Sequence, residues 1–434
     1  LSSEEAESQP TTKETGEQPK KEPGRLRRII RGLTCVPVLT FLILFAAECG
    51  LRMGNPIEAL GYRSVDVWNL GTRLELVKKE CPEVVMCGSS LLLVLNQDKN
   101  GTHFYSGNYP PYFQALLRKA SGAAINVVNL CTGMQSVPEA YLIAEAITEN
   151  KRCYPKVIFY GIGLREYIDY VYIHEWQGEC FNSVAAWVTP TDRVLNSLCP
   201  LMRPGNGVEL LRCHGSFLYR NRLDLQNMLA AWVKDGLEYL PLAKSFTRIG
   251  PNHQYEPQRI GYLHEQWVPR KMEKFGEEVH RHNPEFLHKF YKSWWTTLFQ
   301  RVESNRNMLD GCVAIQDWYL KQLIKLCREK SVILVLVDMP ISKEIRDLAP
   351  PGLYDEFRKK LAEGTGGEDD YILIDYLGDP EFGDEMFKDG IHLNYTGAKK
   401  LAERLTGDLK EKYPFVLRAI ERQHGALEES QRTK

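Results

Sequence analysis

Two short blocks near opposite ends of the chain carry the residue types that acyl-group chemistry needs. Gly88-Ser89-Ser90-Leu91 puts two hydroxyls in a tight, glycine-led turn, and Asp389-Gly390-Ile391-His392-Leu393-Asn394 puts a carboxylate three residues ahead of an imidazole. An aspartate at that spacing can hold the imidazole through its Nδ1 proton while Nε2 faces a serine. Asp389 would then orient and stabilise, His392 would accept the proton, and Ser90 would attack a carbonyl carbon. Each block alone is weak, because a serine at a strand end serves equally well as a helix N-cap and a lone D-x-x-H is short. Paired within one α/β pattern, they read as a nucleophile and its base.

Rival chemistries are poorly served. Leu92 occupies the second glycine position of a G-x-S-x-G elbow. Gly161-Ile162-Gly163-Leu164-Arg165-Glu166 opens like a dinucleotide fingerprint but has Glu166 at the third glycine. His280-Arg281-His282 alternates with charges and reads as solvated surface rather than a metal site. With no Walker, H-E-x-x-H or EF-hand pattern, neither a metal nor a cofactor is expected. The 11 cysteines include no C-x-x-C pair; Cys87, Cys131 and Cys327 lie in apolar runs as small buried hydrophobes, and one or two disulfides in the loop-rich middle stay open. Asn100-Gly101-Thr102 and Asn394-Tyr395-Thr396 match the glycosylation sequon.

The elements that must position the two blocks are legible as near-continuous apolar runs of strand length: 83–87, 125–130, 156–160, 332–337 and 371–375. Continuous rather than alternating hydrophobicity implies burial on both faces, as in a parallel sheet covered by helices. Helical patterns lie between them at 112–119, 138–149, 315–330, 354–362 and 396–413. The order predicts an α/β fold, a three-layer sandwich around a five-stranded parallel sheet, with ligands at the carboxyl ends of the strands. From 166 to 310 the strand rhythm stops, and six of the eight tryptophans fall there: Trp176, Trp187, Trp232, Trp267, Trp294 and Trp295. That interval reads as a helical, aromatic-rich insertion, its tryptophans mainly packing the inserted subdomain, with stacking on sugar rings or acyl chains as the alternative.

On these residues the chain resembles the SGNH or GDSL hydrolase superfamily, whose G-D-S-L turn, second-strand glycine, G-x-N-D block and D-x-x-H block punctuate a flavodoxin-like sheet. The resemblance covers roughly 82–165 and 310–413. It implies Ser90 as nucleophile, with Ser89 in place of the family's aspartate, and Asp389 and His392 as its partners. Gly133, in Asn129-Leu130-Cys131-Thr132-Gly133, matches the oxyanion glycine. Gly163 stands where the family keeps its oxyanion asparagine, so the hole would rely on backbone N–H groups at Ser90 and Gly133, helped by Arg165. Ser89 and Gly163 are the expected substrate-lining positions. G-S-S for G-D-S, the missing asparagine and an N-terminal anchor are closest to the membrane-anchored acyl-transfer branch, exemplified by alginate O-acetylation and D-alanyl transfer proteins.

Residues 1–24 are polar and free of aromatics, too poor in apolar surface to offset ordering entropy, and are expected to be a disordered tail. Arg25, Arg27, Arg28 and Arg31 then lead into the charge-free run 33–47. Residues 25–51 therefore read as a basic flank and transmembrane signal anchor, N-terminus cytoplasmic and catalytic body outside; a cleavable signal peptide is the rival. The remaining organisation is a first half-domain at 52–165, the insertion at 166–310, a second half-domain at 311–415 and a polar tail at 416–434. Lys+Arg 55 against Asp+Glu 56 excludes a polyelectrolyte balance suited to nucleic acid.

The expected activity is transfer of an acyl group from a donor, through Ser90, to a hydroxyl of a glycan or cell-surface polymer, with a membrane-bound acyltransferase as the partner the resemblance implies and the lipid bilayer engaged by the N-terminal helix. The alternatives are an esterase using the same triad with water, and a non-catalytic scaffold with a degenerate site.

Overall fold

A computed structural model describes residues 36–54, 79–97, 110–132, 135–149, 154–168, 284–304, 306–365 and 370–422, with 62–63, 73–74, 77, 216 and 258–259 as isolated pieces. Two units are distinguished, 1–54 and 55–434. In the first, helix α1 (Val36–Gly54) exposes Leu39, Phe41, Leu42, Ile43, Leu44 and Phe45. No helix among the described residues is long and apolar enough to cross a membrane. The arginines expected to flank the anchor, and the tail 1–24, lie outside the described residues.

The second unit is α/β. Its strands are β1 (Tyr62–Arg63), β2 (Val84–Gly88), β3 (Val127–Asn129), β4 (Val157–Ile162), β5 (Gln258–Arg259), β6 (Ile333–Asp338) and β7 (Ile372–Asp375). Five of them form one parallel sheet in the order β3-β2-β4-β6-β7, and β1 pairs antiparallel with β5. The five runs read from sequence are these five parallel strands, each displaced by a residue or two. β2, β3 and β4 are buried throughout, as continuous apolar strands require, whereas edge strand β7 alternates buried Ile372 and Ile374 with outward Leu373 and Asp375.

The chain leaves β2 for β3 on one side and then returns to β4 on the other, so the strand order reverses between β2 and β4. In open α/β sheets such a reversal marks where ligands bind, beyond the carboxyl ends of the two strands. The helices are α2 (Ser90–Leu93), α3 (Pro111–Ser121), α4 (Val137–Thr148), α5 (Leu164–Ile168), α6 (Pro284–Ser304), α7 (Arg306–Glu329), α8 (Lys343–Arg346), α9 (Leu353–Thr365) and α10 (Tyr395–Glu411). They fall into two packed sets: α7 lies against α4, α5 and α9, and α10 against α3. Phe113 of α3 meets Phe159 of β4 edge-on, ring centroids 5.6 Å apart.

Two boundaries differ from the sequence reading. Helix α7 starts at Arg306, nine residues before its apolar periodicity becomes regular, so the division at 310 falls inside a helix. Of the interval 166–310, the described parts are the end of α5, residue 216, the strand β5, α6 and the first residues of α7; Trp176, Trp187, Trp232 and Trp267 lie outside the described residues. Residues 414–422 are helical and bury Val416, Leu417 and Ile420, so the polar tail expected from 416 does not begin there.

Candidate active site

The nucleophile turn exists because two strand ends approach closely. Gly88 ends β2 opposite Gly161 of β4, and its φ of +140 lies where a side chain is strained. A Cβ there would sit 3.0 Å from the Gly161 backbone N and O, and one on Gly161 would sit 2.9 Å from the Leu92 Cβ. Ser89 then caps α2, its buried hydroxyl accepting from the Leu91 N–H at 3.4 Å. The N-cap role that a strand-end serine can always play thus falls to Ser89, and Ser90 is left half-buried at the first helical position.

Ser90 Oγ lies 2.8 Å from His392 Nε2, and His392 Nδ1 lies 2.8 Å from Asp389 Oδ2. The other oxygen of Asp389 accepts the backbone N–H of His392 at 2.8 Å and of Ile391 at 3.2 Å. Gly390 at φ +85 makes that tight return possible. A bridge between Phe387 and Leu393 closes the turn, and Asn394 caps α10 through the Gly397 N–H. Its amide also donates to the Glu385 carbonyl at 2.7 Å, so this sequon asparagine is committed to structure. Burial alone would push Asp389 up; the neighbouring His392 and the two backbone donors outweigh it and hold the carboxylate below its ordinary range.

The remaining site positions read from sequence are distributed as follows. Among the described residues the Ser90 N–H meets no acceptor, as an oxyanion donor requires before substrate arrives. Gly133 lies outside the described residues, but the loop on either side of it is stitched to the nucleophile turn: the Thr132 N–H donates to the Gly88 carbonyl at 3.1 Å, and Gln135 Oε1 accepts the Gly88 N–H. The Gly163 N–H is spent on Glu166 Oε2 at 2.8 Å. Arg165 is buried, its guanidinium carbon 6.0 Å from the centre of the Trp294 ring.

Four residues around the site escaped the sequence reading. Buried Gln135 also donates to the Leu130 carbonyl at 3.0 Å, fixing the second-strand loop. Glu166 reaches back to Gly163 from the first turn of α5, a half capping box that the G-x-x-E spacing could have signalled. Burial pushes Glu166 up to about 7 against the opposing pull of Arg165, the Gly163 N–H and Ser89. Asp338 ends β6 buried, with Oδ1 unbonded among the described residues, and burial beside Asp375 pushes it well above the carboxylate range. Tyr291 of α6 packs on His392, ring centroids 5.4 Å apart at 70°; nothing local in its sequence marks it.

The described buried thiols are not poised to react. Cys87, Cys131 and Cys327 are free and buried, and burial pushes all three upward, away from a reactive thiolate. Cys81 is disulfide-bonded. Among the described residues no group of three or more His, Cys, Asp or Glu side chains could hold a metal ion. No family model and no curated protein matches the chain.

Proposed function

We propose that this chain is an SGNH-type serine O-acyltransferase that carries an acyl group on Ser90 and delivers it to a hydroxyl of a glycan or cell-surface polymer. The observation that carries the reading is the relay from Ser90 Oγ through His392 to Asp389, two contacts of 2.8 Å joining residues 302 positions apart at one sheet edge. In the first half-reaction Oγ attacks the donor carbonyl while Nε2 takes its proton, and collapse of the tetrahedral intermediate returns that proton to the leaving group. In the second, the acceptor hydroxyl gives its proton to Nε2 and attacks the acyl-serine. The Ser90 N–H would receive the developing oxyanion, with Gly133 as the second donor that the SGNH resemblance implies.

On this reading the two helix sets are the outer layers of a three-layer sandwich, and the body works outside the cytoplasm. The arginine-led apolar run, the exposed apolar row on α1 and a disulfide at Cys81 support that address, since disulfides persist in oxidising compartments. The test is covalent labelling by a fluorophosphonate, followed by a product assay on an acetylated donor with and without a glycan acceptor. Labelling abolished by Ser90→Ala, with acylated glycan exceeding free acid, is expected. Free acid alone would make the protein an esterase, and absence of labelling would remove the catalytic reading.

A further inference from the structure

Helix α6 lies outside the two blocks that define the triad, yet it reaches the catalytic histidine. Residues 288, 291, 292 and 295 share one side of the helix, since positions three and four apart are neighbours. Trp295 anchors that side, buried and 5.2 Å from Phe299. One turn earlier, His288 Nε2 and Lys292 Nζ hold the two oxygens of Glu344 at 2.7 and 2.5 Å. Glu344 belongs to α8, and Ser342, which caps α8, donates its N–H to the Gly390 carbonyl at 3.1 Å inside the Asp389–His392 turn. A Cβ on Gly390 would lie 3.1 Å from Ile345. Helix α6 and the catalytic turn therefore grip the same short element from two sides. Between the grips stands Tyr291, its ring against the imidazole and its environment shared with Asp389.

We propose that Tyr291 is a positioning residue for His392: its ring holds the imidazole in the one plane that serves Ser90 and Asp389 together, and keeps water from the Nδ1 proton. An imidazole linked to Oγ on one side and a carboxylate on the other has a single useful orientation about its Cβ–Cγ bond. The backbone turn fixes where that bond starts, and the Asp389 carboxylate holds one edge of the ring through Nδ1, which leaves the ring free to rock about that contact whenever Ser90 is engaged with substrate. Packing an aromatic edge-to-face against the ring supplies the missing constraint at a geometry aromatic pairs favour. The contact on which the proposal stands is that of the ring.

The proposal rests on the triad reading, and the experiment separates the two. Fluorophosphonate labelling is titrated to saturation, so that limiting rate and half-saturating probe concentration are read independently, on wild type, Ser90→Ala, Tyr291→Phe and Tyr291→Leu. The one-dimensional proton spectrum is recorded for the far-downfield resonance of a carboxylate-held, water-shielded Nδ1–H. If wild type is unlabelled, the triad reading fails whatever Tyr291 does. With wild type labelled and Ser90→Ala silent, Tyr291→Phe is expected to keep the rate within about twofold and retain the resonance. Tyr291→Leu, a strong helix former that removes the aromatic ring, is expected to lower the limiting rate about tenfold at unchanged half-saturation and to lose the resonance. A leucine variant with wild-type rate and resonance, or with its whole loss in half-saturation, overturns the proposal. So does a phenylalanine variant that loses the rate, and that arm keeps the test decisive even if leucine costs the fold.

Discussion

At the scale of single residues the site divides into groups that do chemistry and groups that hold them still, and the two respond differently to substitution. Asp389→Asn keeps an oxygen for the Ile391 and His392 N–H groups, so the turn should survive. The amide nitrogen, however, offers a donor where Nδ1–H needs an acceptor. Labelling of Ser90 should fall by about 10⁴ with the melting temperature little changed, measured by stopped-flow labelling and calorimetry. Glu166 answers to pH. Because burial raises it to about 7, the folded protein holds a proton between the ordinary glutamate range and 7 that the unfolded chain releases. Stability should therefore fall as pH rises through that window, by up to about 1.4 kcal/mol per unit for this one group. Glu166→Gln can still accept from the Gly163 N–H and should flatten the trend, as thermal melts between pH 5 and 8 would report. Ser90, His392 and Asp389 were legible because their types and short spacings are themselves the chemistry. Gln135, Tyr291 and Asp338 were not, because each acquires its role only from what folding brings beside it.

Elements decide whether those residues meet. The five parallel strands could be read from sequence because burial on both faces leaves a continuous apolar run, and helix ends were legible where a cap such as Asn394 marks them. The start of α7 was hidden by Asp310 and Gly311, which interrupt the periodicity without ending the helix. Helix α6 was hidden for another reason: its apolar residues face the site and the core together, so no clean stripe appears. The element-level constraint closest to the nucleophile is the approach of α2 to β4. Gly161→Ala would place a methyl 2.9 Å from the Leu92 Cβ, and the structure can relieve this only by shifting α2 or parting β2 from β4. A loss of about 1–3 kcal/mol is expected from such overpacking. A larger proportional loss in labelling rate should accompany it, because Ser90 rides on the displaced turn; urea melts and labelling kinetics on the same variant would show whether the two scale.

For the whole molecule, the second unit is held by one sheet that draws strands from both halves of the sequence, with β4 at its centre between β2 and β6. If the body works outside the cytoplasm as proposed, protease added outside sealed cells should digest it, and full protection would put it in the cytoplasm. The long separation of nucleophile and base has a consequence in time. At roughly 5–20 residues per second, a ribosome that has just made Ser90 needs about 15–60 s more to reach His392, 302 positions later. On the proposed function, the nascent chain carries during that interval a serine with no base, inert toward any acyl donor it passes. Reactivity would begin only when the Asp389–His392 turn docks, so an unfinished or clipped copy would be chemically silent.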